Sequence, residues 1–214
     1  MDAATLVQAA KTAGAKYGYD SVEVEVAPLA DFKLRWKRTY KWIEFTVSDY
    51  LLEISNADAE EFFENIFQRI RGVATSASYP EGVIKALTAP EFAEKYARVF
   101  IGRHRSMRPD DGRVQAIYDR LAAKGLTEGQ KPILTISSRS AFSPGESSIL
   151  MKVVALNEKI LGEDEEVQEI ALHTLLWHQA HVVFGDENHN LWEDLHAKMG
   201  LEYLAPLLEA GYRF

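Results

Sequence analysis

Over residues 21–71 the spacing of apolar side chains changes from every second residue to every third or fourth. That change limits the layers the chain can build. "SVEVEVAP" (21–28) alternates Val with Ser or Glu, the period of a strand with one buried face. "DFKLRWKRTYKWIEFTV" (31–47) places Phe32, Leu34 and Trp36 on one parity with basic residues between them, then shifts to Ile43, Phe45 and Val47. A turn or bulge at Arg38–Thr39 accounts for the shift and predicts a β-hairpin. In "NADAEEFFENIFQRIRG" (56–72), Phe62, Phe63, Ile66 and Ile70 share one face of a helix. Asn56 is its expected N-cap, Arg69 and Arg71 occupy its last turn, and Gly72 stops it.

The same reading extends to the rest of the chain. Residues 2–16 predict an amphipathic helix ending near Gly18, and "APEFAEKYARVFIGRH" and "GRVQAIYDRLAAKG" predict two more. "PILTISS" and "SSILMKVVALN" read as strands joined by the turn-prone "RSAFSPGE". "EDEEVQEIALHTLLWHQAHVVFG" is a long helix with an acidic first turn, and "NLWEDLHAKMG" and "EYLAPLLEAG" close the chain helically. This order predicts an α+β fold with one mainly antiparallel sheet packed against the long histidine-bearing helix. No repeat or linker marks a boundary, so residues 1–214 are expected to form a single domain.

Composition narrows the classes of function. The chain has no cysteine, so disulfides and thiolate ligands are excluded and any metal site must use His and carboxylate. The longest mostly apolar run, "SILMKVVAL", is too short to span a bilayer and contains Lys152. The amino terminus reads as a helix and not as a signal peptide, and a cytoplasmic protein is expected. A net charge of −8 opposes general nucleic-acid binding.

Five of the six histidines lie between residues 173 and 196. On the long helix His173, Trp177 and His181 form one stripe, and His178 neighbours His181 at i, i+3. "FGDEN" is rich in turn formers and brings His189 toward the same point. Neutral imidazole is the commonest metal ligand, and three imidazoles plus water match an open zinc site. His178, His181 and His189 are therefore the candidate zinc ligands. The competing reading is a helix surface that carries imidazoles without a ligand, and His173 and His196 are assigned to it.

This segment resembles the SprT-like and YgjP-like zinc metallopeptidases, whose metal helix carries His-Glu-x-x-His with a third His shortly after. The resemblance covers about residues 131–200. Leu156 and Asn157 match the end of a strand that precedes a short acidic link. His181 matches the second helix histidine, Asn188 and His189 an Asn-His pair, and Trp192 the aromatic residue that follows. It implies a zincin-like core completed by the three amino-terminal strands, a zinc ion, and a peptide or protein substrate. The departures are specific. The family's first ligand falls on Trp177 and its catalytic glutamate on His178, and "RSAFSPGE" keeps neither the Trp nor the Cys of the family's Trp-Gly-Ser-Cys segment. A zincin needs a carboxylate to take the proton from zinc-bound water. Three outcomes follow: a dead site, a site rebuilt with His178 as ligand, or a base supplied by Asp186, Glu187 or Glu193. The expected activity is a weak or absent peptidase. The alternative is a non-enzymatic module that binds a peptide or single-stranded nucleic acid.

The nucleic-acid alternative rests on "FKLRWKRTYKW" (32–42), where five cations and four aromatics are interleaved as phosphate contact and base stacking require. A solvated hairpin face with its aromatics turned inward accounts for the same residues. "GRHRSMRPDDGR" is a second basic cluster, explained by helix-end carbonyls and loop solvation. "SPGESS" lacks the Gly-x-Ser-x-Gly spacing of a serine hydrolase.

Overall fold

Asp2 accepts a hydrogen bond from the Thr5 amide at 2.8 Å and so begins α1 (Ala3–Lys16). A computed structural model describes residues 1–73, 79–139, 142–185 and 190–213. The chain is α+β and divides into two compact units, 1–93 and 94–214.

In the first unit β1 (Ser21–Ala27), β2 (Leu34–Arg38) and β3 (Trp42–Ser48) form a three-stranded sheet of order β1-β3-β2. The expected hairpin is present: β2 and β3 are antiparallel, and Thr39 donates its amide to the Trp42 carbonyl at 2.8 Å. β1 pairs in parallel with β3, matching Val22, Val24 and Val26 to Ile43, Phe45 and Val47. Ile43, Phe45 and Val47 are fully buried. Phe45 meets Phe63 and Phe67 at centroid distances of 5.4 and 5.5 Å, which seats α2 (Asn56–Ile70) on the sheet. Each such phenylalanine contributes roughly 1.5–3 kcal/mol by leaving water. The helix is capped one residue earlier than expected, by Ser55, whose Oγ accepts from the Asp58 amide at 3.2 Å. α3 (Glu81–Thr88), which the sequence reading missed, follows, and then α4 (Pro90–Arg103) begins.

The second unit holds β4 (Met107–Pro109), α5 (Arg113–Ala123), β5 (Ile133–Ser137), β6 (Gly145–Ser148) and β7 (Val153–Asn157). The helices α6 (Glu165–His181), α7 (Leu191–Met199) and α8 (Leu201–Glu209) complete it. Its sheet has the order β4-β5-β7-β6, with β5 and β7 parallel and both flanking pairs antiparallel. Helix α6 packs against β6, β7, α5 and α8. Ile136, Val154, Leu156, Ile170, Leu172, Leu175, Leu204 and Leu207 lie in the core between them.

Two expectations are corrected. The amino-terminal strands do not complete the sheet beside the histidine helix; they form their own sheet, because β3 pairs on both sides within the first unit. The sheet beside α6 is mainly antiparallel, as expected, with the single parallel pair β5–β7. The run 147–157 is not one strand. Lys152, at φ 52°, lets the chain turn between β6 and β7, and the apolar Ile149, Leu150 and Met151 conceal that turn from a pattern reading.

On α6, Leu172, Leu175 and Leu176 are buried. Ala180 is exposed, and Gln179 takes the buried position beside it. Gln179 is satisfied there: its Oε1 accepts from Ser147 Oγ at 3.0 Å and its Nε2 donates to the Ile149 carbonyl at 3.3 Å. Among the described residues no helix is long and apolar enough to cross a membrane.

Candidate functional site

The last two turns of α6 carry the histidines, and its 3.6-residue repeat brings Trp177 and His181 together as expected. Their rings stack with centroids 4.7 Å apart and planes 14° from parallel. His181 Nδ1 lies 3.0 Å from the Trp177 carbonyl oxygen, and Nε2 lies 3.0 Å from a carboxylate oxygen of Glu128. Both partners are acceptors, so each ring nitrogen faces an oxygen, and a metal ion could reach the ring only by displacing one of them.

Sequence spacing gave no sign of Glu128. It sits in the loop between α5 and β5, far from the acids considered near the helix, and only the fold brings it to His181.

His173 corrects another expectation. It is half-buried and not a solvated surface residue, because α8 packs over it. Its Nδ1 is 2.7 Å from the Tyr203 hydroxyl, and the two rings meet edge to face. Burial lowers the His173 pKa, since the imidazolium would lose its hydration. Burial also pushes the Tyr203 hydroxyl up to about 12, with Glu169 adding to the shift. The pair is therefore a neutral imidazole hydrogen-bonded to a protonated phenol. His196 is exposed on α7, as expected, with its ring stacked on Trp192.

His178 is partly exposed, with its Nδ1 buried. The indole nitrogen of Trp177 is buried and has no hydrogen-bond partner among the described residues. Among the described residues no three His, Asp or Glu side chains converge as a metal set. His189, with Asp186, Glu187 and Asn188, lies outside the described residues. Trp177 has no ligating atom and both His181 nitrogens are engaged, so these described side chains as placed do not fit a zinc ion.

A polar cluster occupies the opposite end of the β5–β6 region, around a space of about 220 Å³. Ser137 Oγ donates to Glu146 Oε1 at 2.7 Å, and Arg139 Nη1 holds the other carboxylate oxygen at 2.8 Å. Asn157, at the end of β7, is buried. It donates to the Ser143 carbonyl at 2.7 Å and accepts from the Lys159 amide at 3.0 Å. The serine here is bonded to a carboxylate already committed to Arg139, so the cluster ties the loop ends together and provides no activated nucleophile.

On the basic hairpin, three of the five cations meet acids. Lys33 pairs with Asp31 at 2.5 Å, Lys37 with Glu44 at 3.7 Å and Lys41 with Asp20 at 2.9 Å. Phe32 is turned toward Phe62 and Tyr79, as an inward face requires, but Trp36 and Tyr40 are exposed. Glu44 of β3 and the loop acids Asp20 and Asp31 offset much of the charge on this face.

Fold and site together define an α+β protein with a long histidine-bearing helix against a mixed four-stranded sheet. No family model, curated protein or solved structure matches the chain.

Proposed function

We propose that this chain is a SprT-like metallopeptidase scaffold that does not use zinc for hydrolysis and instead holds an extended peptide. The observation that carries the reading is the Trp177–His181–Glu128 arrangement. An indole stands at the place of the first ligand and stacks on the second, whose two nitrogens are both turned to acceptors. The order of elements supports the scaffold: β7 ends at Leu156–Asn157, an acidic link follows, and then comes α6. Peptide binding is favoured by β6. It has a strand partner on one side only among the described strands, and lies against α6 through Ser147 and Gln179. An extended segment added to that edge would gain main-chain hydrogen bonds without any catalytic group.

Untagged protein, analysed for metal and assayed on casein with and without added zinc, tests the reading. The expected result is substoichiometric zinc, no turnover, and slowed amide exchange in residues 145–148 on adding unfolded casein. Stoichiometric zinc lost on His181→Ala would support a site rebuilt through His178, His181 and His189. Zinc-dependent turnover that survives repurification would overturn the proposal.

A further inference from the structure

A groove of about 920 Å³ lies within the second unit, between the end of α4, the β4 edge and the start of β5. Its apolar lining includes Ile101, Met107 and Ile133, and Ile133 is 43% exposed although it is a large aliphatic side chain on a strand. Three cations line the same groove: Arg98, Arg105 and Lys131.

What balances those cations decides what the groove can hold. Asp110 is an acid in the lining, and its carboxylate is already used: Oδ1 accepts from the Val114 amide at 3.0 Å and Oδ2 from the Gln115 amide at 2.9 Å, capping α5. Lys131 meets neutral partners, donating to Gln115 Oε1 at 2.7 Å and lying 4.7 Å from the centre of the Tyr118 ring. Arg98 and Arg105 have no ion pair among the described residues. Arg108 and Arg113 of the same basic segment behave differently, since Arg108 pairs with Glu158 at 2.8 Å and Arg113 with Asp111 at 2.8 Å. Helix-end carbonyls and solvation, which explain a basic run in the sequence, do not explain why the unpaired cations are the ones facing an apolar trough. In a chain of net charge −8, a pocket of this size with an apolar floor and unbalanced positive charge is complementary to one kind of ligand.

We propose that this groove binds a small organic anion: a carboxylate, sulfonate or phosphate carried on an apolar body. The headgroup lies among Arg98, Arg105 and Lys131, and the body rests on Ile101, Met107 and Ile133. Pro109 ends β4 without an amide proton, which disfavours an added peptide strand at that edge.

The test uses 8-anilinonaphthalene-1-sulfonate and its uncharged counterpart, N-phenyl-1-naphthylamine, which keeps the ring system and lacks the sulfonate. Fluorescence titration is expected to give one saturable site for the sulfonate, weakening with salt, and at least about tenfold weaker binding of the neutral compound. Arg98→Gln, Arg105→Gln and Lys131→Gln combined should weaken the sulfonate about tenfold, at roughly two- to threefold per exposed contact, and change the neutral compound about twofold or less. Lys131→Arg should restore most of the Lys131→Gln loss, which separates a charge effect from misfolding. Ile133→Ser should weaken both compounds. Equal affinity for the two compounds, or an unchanged triple variant, would overturn the proposal. So would binding seen only to vesicles of anionic lipid and never to the free sulfonate.

Discussion

Replacing Gly145 by alanine probes how closely the edge strand β6 is seated. An added Cβ would lie 2.3 Å from the Ala155 carbonyl oxygen and 2.6 Å from Leu175 Cδ1. Leu175 can swing its methyl aside. Ala155 cannot move in the same way, because its carbonyl belongs to β7, which is bonded to strands on both sides. Ordinary non-bonded contacts lie near 3.5 Å, so β6 must retreat by roughly 1 Å. That shift strains the pairing with β7 and the Ser147–Gln179 hydrogen bond. Overpacking costs about 1–3 kcal/mol, and a backbone obstacle places this site in the upper half of that range. The smaller entropy of an unfolded chain with alanine offsets roughly 0.4–1 kcal/mol. A net loss of about 1–2.6 kcal/mol is expected. With a urea m-value of about 2 kcal/mol/M, the unfolding midpoint of the second unit should fall by roughly 0.5–1.3 M, read by circular dichroism. Gly102→Ala is the control: it sits in α4 with no heavy atom within 4 Å of the added Cβ, and should stabilise by about 0.5 kcal/mol or more. If Gly145→Ala stays within about 0.5 kcal/mol of the parent while Gly102→Ala behaves as expected, the close seating of β6 is refuted.

Tyr203→Phe should destabilise by roughly 0.5–1.5 kcal/mol at neutral pH, because it removes the hydrogen-bond partner of His173 Nδ1; thermal unfolding measures it. The His173 pKa is lowered from 6.5 in the folded protein, so its contribution to stability is fully present above 6.5. Below that pH the unfolded chain takes the proton first and the contribution is lost as pH falls through the folded value. His173→Gln should flatten this part of the stability–pH curve, and an unchanged curve would refute the assignment. Single-stranded DNA is expected to bind weakly or not at all, since Lys33, Lys37 and Lys41 are paired with acids; tight, salt-sensitive binding lost on neutralising Lys33, Arg35, Lys37 and Lys41 would contradict this.

Periodicity made α1, α2, α4, α5, α6 and the β2–β3 hairpin legible, because each presents an apolar face whose spacing is set by its own backbone geometry. It also placed Trp177 and His181 on one stripe, a relation within a single helix. The breaks that sequence hid were those without turn chemistry, as at Lys152, where an apolar run bends without Gly, Pro or Asn. Sheet membership was not legible either. Val22, Val24 and Val26 advertise a strand with one buried face, and nothing local says which strand it will pair with.

Local sequence thus determined which residues become helix or strand and which faces they bury, since those follow from neighbours a few positions apart. Tertiary structure alone decided that the amino-terminal strands form a separate sheet, that Glu128 meets His181, and that Tyr203 covers His173. It also decided that Arg98, Arg105 and Lys131 share one apolar groove. These pairings join residues tens of positions apart, and their positions are set by packing against the sheet and helices between them, which carries no local periodic trace.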